Sequence, residues 1–240
     1  VGVDNVDLSA ASENNIIVMN TPLGNVQATA ELTFALIHSL FRKITDANNS
    51  MHANKWDKKI FIGNELNKKN IVIVGFGNIG KKISQISIAY GMKVFVVSKS
   101  ISVKDEREYN VKAVSFDESL ELADIITFHN KLSAQSKYMI NSESISKMKD
   151  SAVVINCARG GIVNESDLKE AIQNKKIYGY GVDVYENEPD LKSIFTGMNN
   201  VVMTPHIGAS TKEAQEKVAK LIAEQIVDYL LHDKISNQVK

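Results

Sequence analysis

A glycine-punctuated stretch, Gly75-Phe76-Gly77-Asn78-Ile79-Gly80, constrains this chain more than any other feature. It follows the apolar run Ile71-Val72-Ile73-Val74 and opens a helical pattern from Asn78 to about Tyr90, after which Lys93–Val97 reads as another strand. Strand, glycine turn, helix and strand in that order form the unit of a parallel α/β sheet. Taken alone, the glycines could do no more than shape a strand-to-helix turn. In this setting the three differ in what they permit. Gly75 allows the tight turn, Gly77 lets the backbone approach a ligand, and Gly80 seats the helix on the strand. The helix N-terminus adds N–H groups and the positive end of its dipole, which suit a pyrophosphate. The stretch is expected to hold a dinucleotide through Gly75, Gly77, Asn78, Ile79 and Gly80.

The alternation continues on both sides. Upstream, Ile16–Met19 reads as a strand and Asn20–Asn25 as a turn-rich loop. A long helix is expected from about Val26 to about Ala53, with Leu32, Ala35, Leu36, Ser39 and Leu40 on one face and Trp56 packing at its end. Downstream come a short helix over Phe116–Leu122, strand Asp124–Phe128, a helix near Ser142–Met148 and strand Ala152–Asn156. Helix Glu165–Asn174, strands Tyr178–Val182 and Asn200–Met203, and a final helix from Lys212 to about His232 complete the series. The Lys- and Asn-rich segment Asn64–Asn70 reads as a solvated connector. The expected fold class is α/β, a doubly wound parallel sheet of Rossmann type.

Bulk composition removes several function classes. Lys+Arg and Asp+Glu both number 28, so no net charge favours nucleic acid or an anionic membrane. No apolar run approaches a bilayer-spanning length. A single cysteine, Cys157, excludes an intrachain disulfide and fits a reducing, cytoplasmic setting. The histidines at 38, 52, 129, 206 and 232 show no metal-ligand spacing, so no metal is expected. The chain opens on Val1-Gly2-Val3-Asp4 rather than methionine, and a strand follows early, which reads as a start within a fold.

Ligands in open α/β sheets sit beyond the C-terminal ends of the strands. Arg159, Glu188 and His206 all stand in loops that follow strands on that side. Histidine is the natural base for an alcohol proton, a carboxylate beside it fixes its tautomer, and arginine grips a carboxylate bidentately. Singly, each has a plain structural reading; with a dinucleotide fold they form a coherent set. Cys157 beside Arg159 reads as a small buried residue rather than a nucleophile. About 20 residues past the glycines, where an acidic ribose ligand is expected, the chain has Ser98 and Lys99. Ser98 can still bind a ribose hydroxyl and Lys99 can attract a 2′-phosphate, so NADP stands beside NAD as cofactor. Lys99 read as a plain solvated charge carries equal weight.

Several ordered segments carry a resemblance: Gly2–Asp7, Asn20-Thr21-Pro22, Ala30-Glu31-Leu32, the glycine stretch, Asn156–Gly160, Gly181–Tyr185, Glu188-Pro189 and Thr204–Gly208. Over these, and over nearly its whole length, the chain resembles the D-isomer-specific 2-hydroxyacid dehydrogenases. Within that family, Ala209–Gln215 is most similar to the branch that oxidises 3-phosphoglycerate to 3-phosphohydroxypyruvate in serine biosynthesis, with hydride transfer to NAD. The resemblance implies that Arg159, Glu188 and His206 are catalytic, that Asp183 holds the nicotinamide carboxamide, and that Asn25 lies at the substrate with Arg159 and His206. It further places Ser98, Lys99, His129, Cys157, Ala158 and Gly208 at the cofactor.

The resemblance also implies residues 23–209 as the NAD(P)-binding domain, and 1–22 with 210–240 as remnants of a smaller, flavodoxin-like substrate lobe. A homodimer through the cofactor domain, with the long helix contributing, completes the implied picture. The chain departs from the family at Ser98, and at His129-Asn130-Lys131, where His-x-Pro is usual; Lys131 could reach the cofactor or be a solvated lysine. Alternatives are a glyoxylate or hydroxypyruvate reductase, for which Ser98-Lys99 favours NADPH, and a dinucleotide-sensing binding protein of corepressor type.

Overall fold

A computed structural model describes residues 2–3, 5–189 and 192–239; Val1, and Asp4 within the opening segment of the resemblance, lie outside the described residues. The chain divides into a compact unit of residues 30–206 and a smaller unit made of 1–29 with 207–240.

The smaller unit contains helix α1 (Leu8–Glu13), strand β1 (Val18–Met19) and the beginning of helix α2 (Val26–Phe41). The strand expected over Ile16–Met19 is cut to its last two residues. Asn15 adopts φ 55° and the Ile16 N–H donates to the Ala11 carbonyl at 2.8 Å, so the chain is still closing α1 at Ile16.

In the larger unit the long helix expected to run to Ala53 is broken. α2 stops at Phe41, Lys43 takes φ 51°, and α3 (Ile44–His52) restarts the chain. The Asn64 N–H takes the Phe41 carbonyl at 2.8 Å, and a Cβ on Gly63 would overlap that same oxygen. A returning strap thus caps the helix. Ala35, expected on the inner face of α2, is exposed, whereas Ala28, Thr29, Ala30, Thr33, Phe34, Leu36, Ile37, Leu40 and Phe41 are buried. Trp56 is 80% exposed rather than packed. The Asn64–Asn70 segment is less solvated than expected, because Leu66 is buried and Asn70 opens a strand.

That strand is β2 (Asn70–Val74), followed by α4 (Asn78–Ala89), β3 (Lys93–Val97), α5 (Val103–Tyr109), β4 (Lys112–Ala113), α6 (Phe116–Leu122) and β5 (Ile125–Phe128). Then come α7 (Ser142–Lys147), β6 (Val153–Asn156), α8 (Glu165–Gln173), β7 (Gly179–Val182) and β8 (Val201–Met203). The strands form one parallel sheet in the order β4-β3-β2-β5-β6-β7-β8. The order reverses between β2 and β5, the doubly wound arrangement expected from the sequence.

Both faces of the sheet are covered. Ile71, Ile73, Ile125, Val153 and Ile155 pack with Leu36, Ile37 and Ile83 of α2 and α4. Their neighbours Val72, Val74, Ile126, Phe128 and Val154 pack on the opposite face with Leu120, Ile145 and Leu168 of α6, α7 and α8. Residues i and i+2 share a face of a strand, so a strand buried on both faces must be apolar throughout. Each fully buried Ile or Val contributes roughly 1.5–3 kcal/mol.

The smaller unit resumes with α9 (Lys212–His232), capped at its start by Thr211, and strand β9 (Gln238–Val239), which pairs antiparallel with β1. Gln225 ties α9 to the Asn20 carbonyl at 3.2 Å and accepts from Asn237 Nδ2 at 3.0 Å.

Candidate active site

The crevice forms at the reversal between β2 and β5. Gly75 leaves β2 with φ 95°, its N–H bonded to the Val97 carbonyl at the end of β3 at 2.9 Å. A Cβ on Gly75 would stand 2.8 Å from the His129 carbonyl, so β5 presses on its other side. A Cβ on Gly80 would overlap the Gly75 carbonyl oxygen, which shows why α4 can sit directly on the turn. A Cβ on Gly77 would meet nothing within 4 Å. Gly77 is the N-cap of α4 and has no side chain to accept from the first-turn N–H groups. The glycines therefore clear an approach to a helix N-terminus that carries no cap of its own, and an anionic pyrophosphate fits there.

His129 and Asn130 extend this rim. Thr127 Oγ1 lies 2.9 Å from His129 Nε2, while His129 Nδ1 and Asn130 Oδ1 are buried without a hydrogen-bond partner. Burial pushes the His129 pKa down to about 3, so the ring is neutral. Orphaned polar atoms at the reversal of the sheet match a site that takes polar groups of a ligand. Ser98, Lys99 and Ser100 follow β3; Lys99 and Ser100 are exposed, and Ser98 Oγ lies 3.1 Å from Ser100 Oγ. Lys131 is exposed beyond Asn130.

The loops after β7 and β8 bring Glu188 and His206 together. His206 Nδ1 lies 2.6 Å from Glu188 Oε2, and the Tyr185 N–H holds the other carboxylate oxygen at 2.8 Å. Because a carboxylate accepts, Nδ1 donates in this bond, and in the neutral form of the ring Nε2 is the nitrogen with a lone pair. Tyr185 Oη donates to the Thr204 carbonyl at 2.8 Å and ties the two loops together. The Thr204 hydroxyl reaches Asp183 Oδ1 at 2.7 Å and fixes that buried carboxylate. His206 sits at φ 53°, in the left-handed region that favours glycine. Pro189, Met203 and Pro205 line a depression beside the pair.

Arg159 is positioned through its neighbours. Buried Asn156 accepts from the Ala158 N–H at 3.1 Å and donates Nδ2 to the Arg159 carbonyl at 2.9 Å, which shapes the loop after β6. A Cβ on Gly160 would overlap the Tyr185 carbonyl oxygen, so the Arg159 loop lies against the backbone of the Glu188 loop. Arg159 Nη1 donates to the Ala158 carbonyl at 2.6 Å. Cys157 is buried, and burial pushes its thiol up to about 12, which leaves no thiolate for nucleophilic chemistry. Asn25 and Gly208 lie in the smaller unit, where the Asn25 carbonyl accepts from the Thr29 N–H at 3.0 Å and the Gly208 carbonyl from the Thr29 hydroxyl at 3.1 Å. Asn156, Tyr185 and Thr204 were given no role in the sequence expectations, although each stands near a strand end and within a segment that carries the resemblance.

A parallel sheet with a glycine cradle at its reversal and a carboxylate-braced histidine at its strand ends defines a nucleotide-dependent redox fold. Residues 34–208 match the D-isomer specific 2-hydroxyacid dehydrogenase, NAD binding domain, and the chain belongs to that family. It is similar to D-3-phosphoglycerate dehydrogenase of Bacillus subtilis, 42% identical over 229 residues, which are 95% of this chain and 44% of the relative. It is also similar to hydroxypyruvate reductase of Thermotoga maritima, 38% identical across 94% of this chain and 74% of the relative. A glyoxylate reductase structure from Paecilomyes thermophila superposes with a TM-score of 0.92 at 30% identity, covering 100% of this chain and 73% of that one. The chain spans less than half the length of the Bacillus relative. Among the described residues, no helix is long and apolar enough to cross a membrane.

Proposed function

We propose that the protein transfers a hydride between a nicotinamide dinucleotide and a D-2-hydroxy acid, with 3-phosphoglycerate and 3-phosphohydroxypyruvate as the substrate pair. The observation that carries this reading is the 2.6 Å bond between His206 and Glu188 in loops at the strand ends. His206 Nε2 accepts the proton of the substrate hydroxyl, and Glu188 stabilises the imidazolium that forms. The Arg159 guanidinium pairs with the substrate carboxylate and orients the carbon that loses hydride. Asp183, held by Thr204, would hold the carboxamide end of the cofactor, and the Gly75–Gly80 turn would hold its pyrophosphate. Bound nicotinamide supplies the hydride acceptor in oxidation and the donor in reduction.

The named substrate is supported by the Bacillus relative and by Ala209–Gln215. A second reading, hydroxypyruvate or glyoxylate reduction, is supported by Ser98-Lys99 and by the Thermotoga relative. In either case the proposal keeps Asn25 as a substrate-binding residue and residues 1–22 and 210–240 as the substrate lobe. The proposal includes a homodimer built on the larger unit. Ile44, Met51, Trp56, Ile60 and Ile62 are all exposed there, which supports that part of the reading. The proposal also includes a cytoplasmic setting, which the single cysteine supports.

Steady-state assays of 3-phosphoglycerate, glycerate and lactate, each with NAD and NADP, test the reading. His206→Ala should lower turnover by about 10²–10⁴-fold with dinucleotide affinity retained. Absence of turnover with every substrate and with the matching keto acids would leave a binding protein and refute the enzyme.

A further inference from the structure

The rim of the dinucleotide cradle carries a charge pattern that selects among dinucleotides; the inference rests on the proposal that a dinucleotide binds at Gly75–Gly80. The end of β3 adjoins the cradle directly, through the bond from the Gly75 N–H to the Val97 carbonyl. The next residue occupies the place where a carboxylate would bind both ribose hydroxyls and repel a 2′-phosphate. In this chain it is Ser98. Its hydroxyl accepts from the Ser100 N–H at 3.3 Å and lies 3.1 Å from the Ser100 hydroxyl, with Lys99 exposed between them.

No carboxylate stands in residues 98–104, while Lys99 and Lys104 do. The first acidic residue, Asp105, is already satisfied. It accepts from Lys81 Nζ at 2.9 Å and from the Ser102 N–H and hydroxyl at 3.1 and 2.6 Å. Lys81 itself projects from the first turn of α4, over the rings of Phe76 and Tyr109. Glu106 is turned to the Ala113 N–H at 2.8 Å. The segment after β3 thus carries two hydroxyls and an exposed lysine, and the first two carboxylates that follow it, Asp105 and Glu106, are engaged elsewhere. A dianionic phosphate finds partners there, and a bare ribose hydroxyl loses the bidentate acceptor it would otherwise have.

We propose that Ser98, Lys99 and Ser100 form a 2′-phosphate subsite, so that the protein takes the 2′-phosphorylated dinucleotide, NADP(H), in preference to NAD(H). Calorimetric titration of the protein with 2′,5′-ADP and 5′-AMP reads the subsite without turnover, and NADPH and NADH extend the comparison to whole cofactors. The 2′-phosphorylated member of each pair should bind about tenfold tighter or better, and the advantage should shrink with salt. Ser98→Asp and Lys99→Met should each cut the advantage, Ser98→Asp by tightening 5′-AMP as well as weakening 2′,5′-ADP and Lys99→Met chiefly by weakening 2′,5′-ADP, with the fold verified by circular dichroism. Equal affinity for the two nucleotides, or tighter 5′-AMP, overturns the subsite and leaves the dinucleotide reading standing. A preference that survives Lys99→Met but is lost in Lys131→Met overturns the assignment to this loop. Failure of all four ligands to bind removes both readings together.

Discussion

The larger and smaller units are held together by different means. In the larger one Ile71, Ile73, Ile125, Ile126, Val153 and Val154 are completely buried, and two apolar clusters sandwich the sheet. In the smaller one the buried side chains are small or polar: Ala11, Thr21, Ala28, Thr29, Ala214 and Gln225. Leu230 and Leu231 of α9 are each 71% exposed. Side-chain bonds such as Gln225 to Asn20 do there what packing does in the larger unit. Apolar burial scales with area removed from water, whereas an exchanged hydrogen bond nets only about 1 kcal/mol. The same chain therefore has one unit with a reserve of stability and one without.

The sharpest way to break this contrast is a matched truncation. Ile71→Ala should cost about 2–5 kcal/mol in urea unfolding, against no more than about 0.5 kcal/mol for Leu230→Ala. Similar losses at both positions would erase the distinction. Next in size is Gly160→Ala, whose Cβ would overlap the Tyr185 carbonyl and push the Arg159 loop off the Glu188 loop. Turnover should fall about 10²-fold while dinucleotide affinity holds, and parent-like turnover would show that this contact does not set Arg159.

A pH series sharpens the contrast further, since buried His129 belongs to the larger unit. Its folded pKa of about 3 lies below the unfolded value of about 6.5, so between these limits the unfolded chain binds a proton that the folded chain refuses. Stability from this group is complete above about pH 6.5 and declines as pH falls towards 3, by about tenfold in the folding constant per pH unit. His129→Gln should flatten that slope relative to the parent; an unchanged slope would mean that the ring is not buried neutral. The smallest effect should not distinguish the units at all. Ser102→Ala and Thr211→Ala each remove an N-cap, one per unit, and each should cost about 1 kcal/mol by thermal unfolding. Unequal costs would show that even local capping depends on the surrounding core.

How much could be read in the sequence follows the same division. Strands β2, β3 and β5 to β8 were legible because burial on both faces demands continuous apolar runs, whereas the two-residue β4, with Lys112 exposed, was not; α9 was legible from its length. The break at Lys43 was hidden: neither glycine nor proline marks it, and the cause is Asn64, a strap returning from later in the chain. α5 has a capping signal in Ser102 and Asp105 but no buried residue, so periodicity was silent. β9 exists only through its pairing with β1. In the site, His206, Glu188 and Arg159 were legible because their chemistry is rare and their loops follow strands. Tyr185, Thr204 and Asn156 were not, because they work through backbone bonds that only the folded loops create.

Cys157, dismissed as a nucleophile, has another use. It is the chain's sole thiol, buried in the larger unit directly after β6, and its pKa of about 12 keeps it protonated at ordinary pH. A thiol reagent can reach it only when the structure around it opens. Its labelling rate in the native protein is thus a clock for that opening, wound by the same core that shelters the cofactor. Any ligand that seats itself on the glycine turn should slow the clock in proportion to its hold on the folded form.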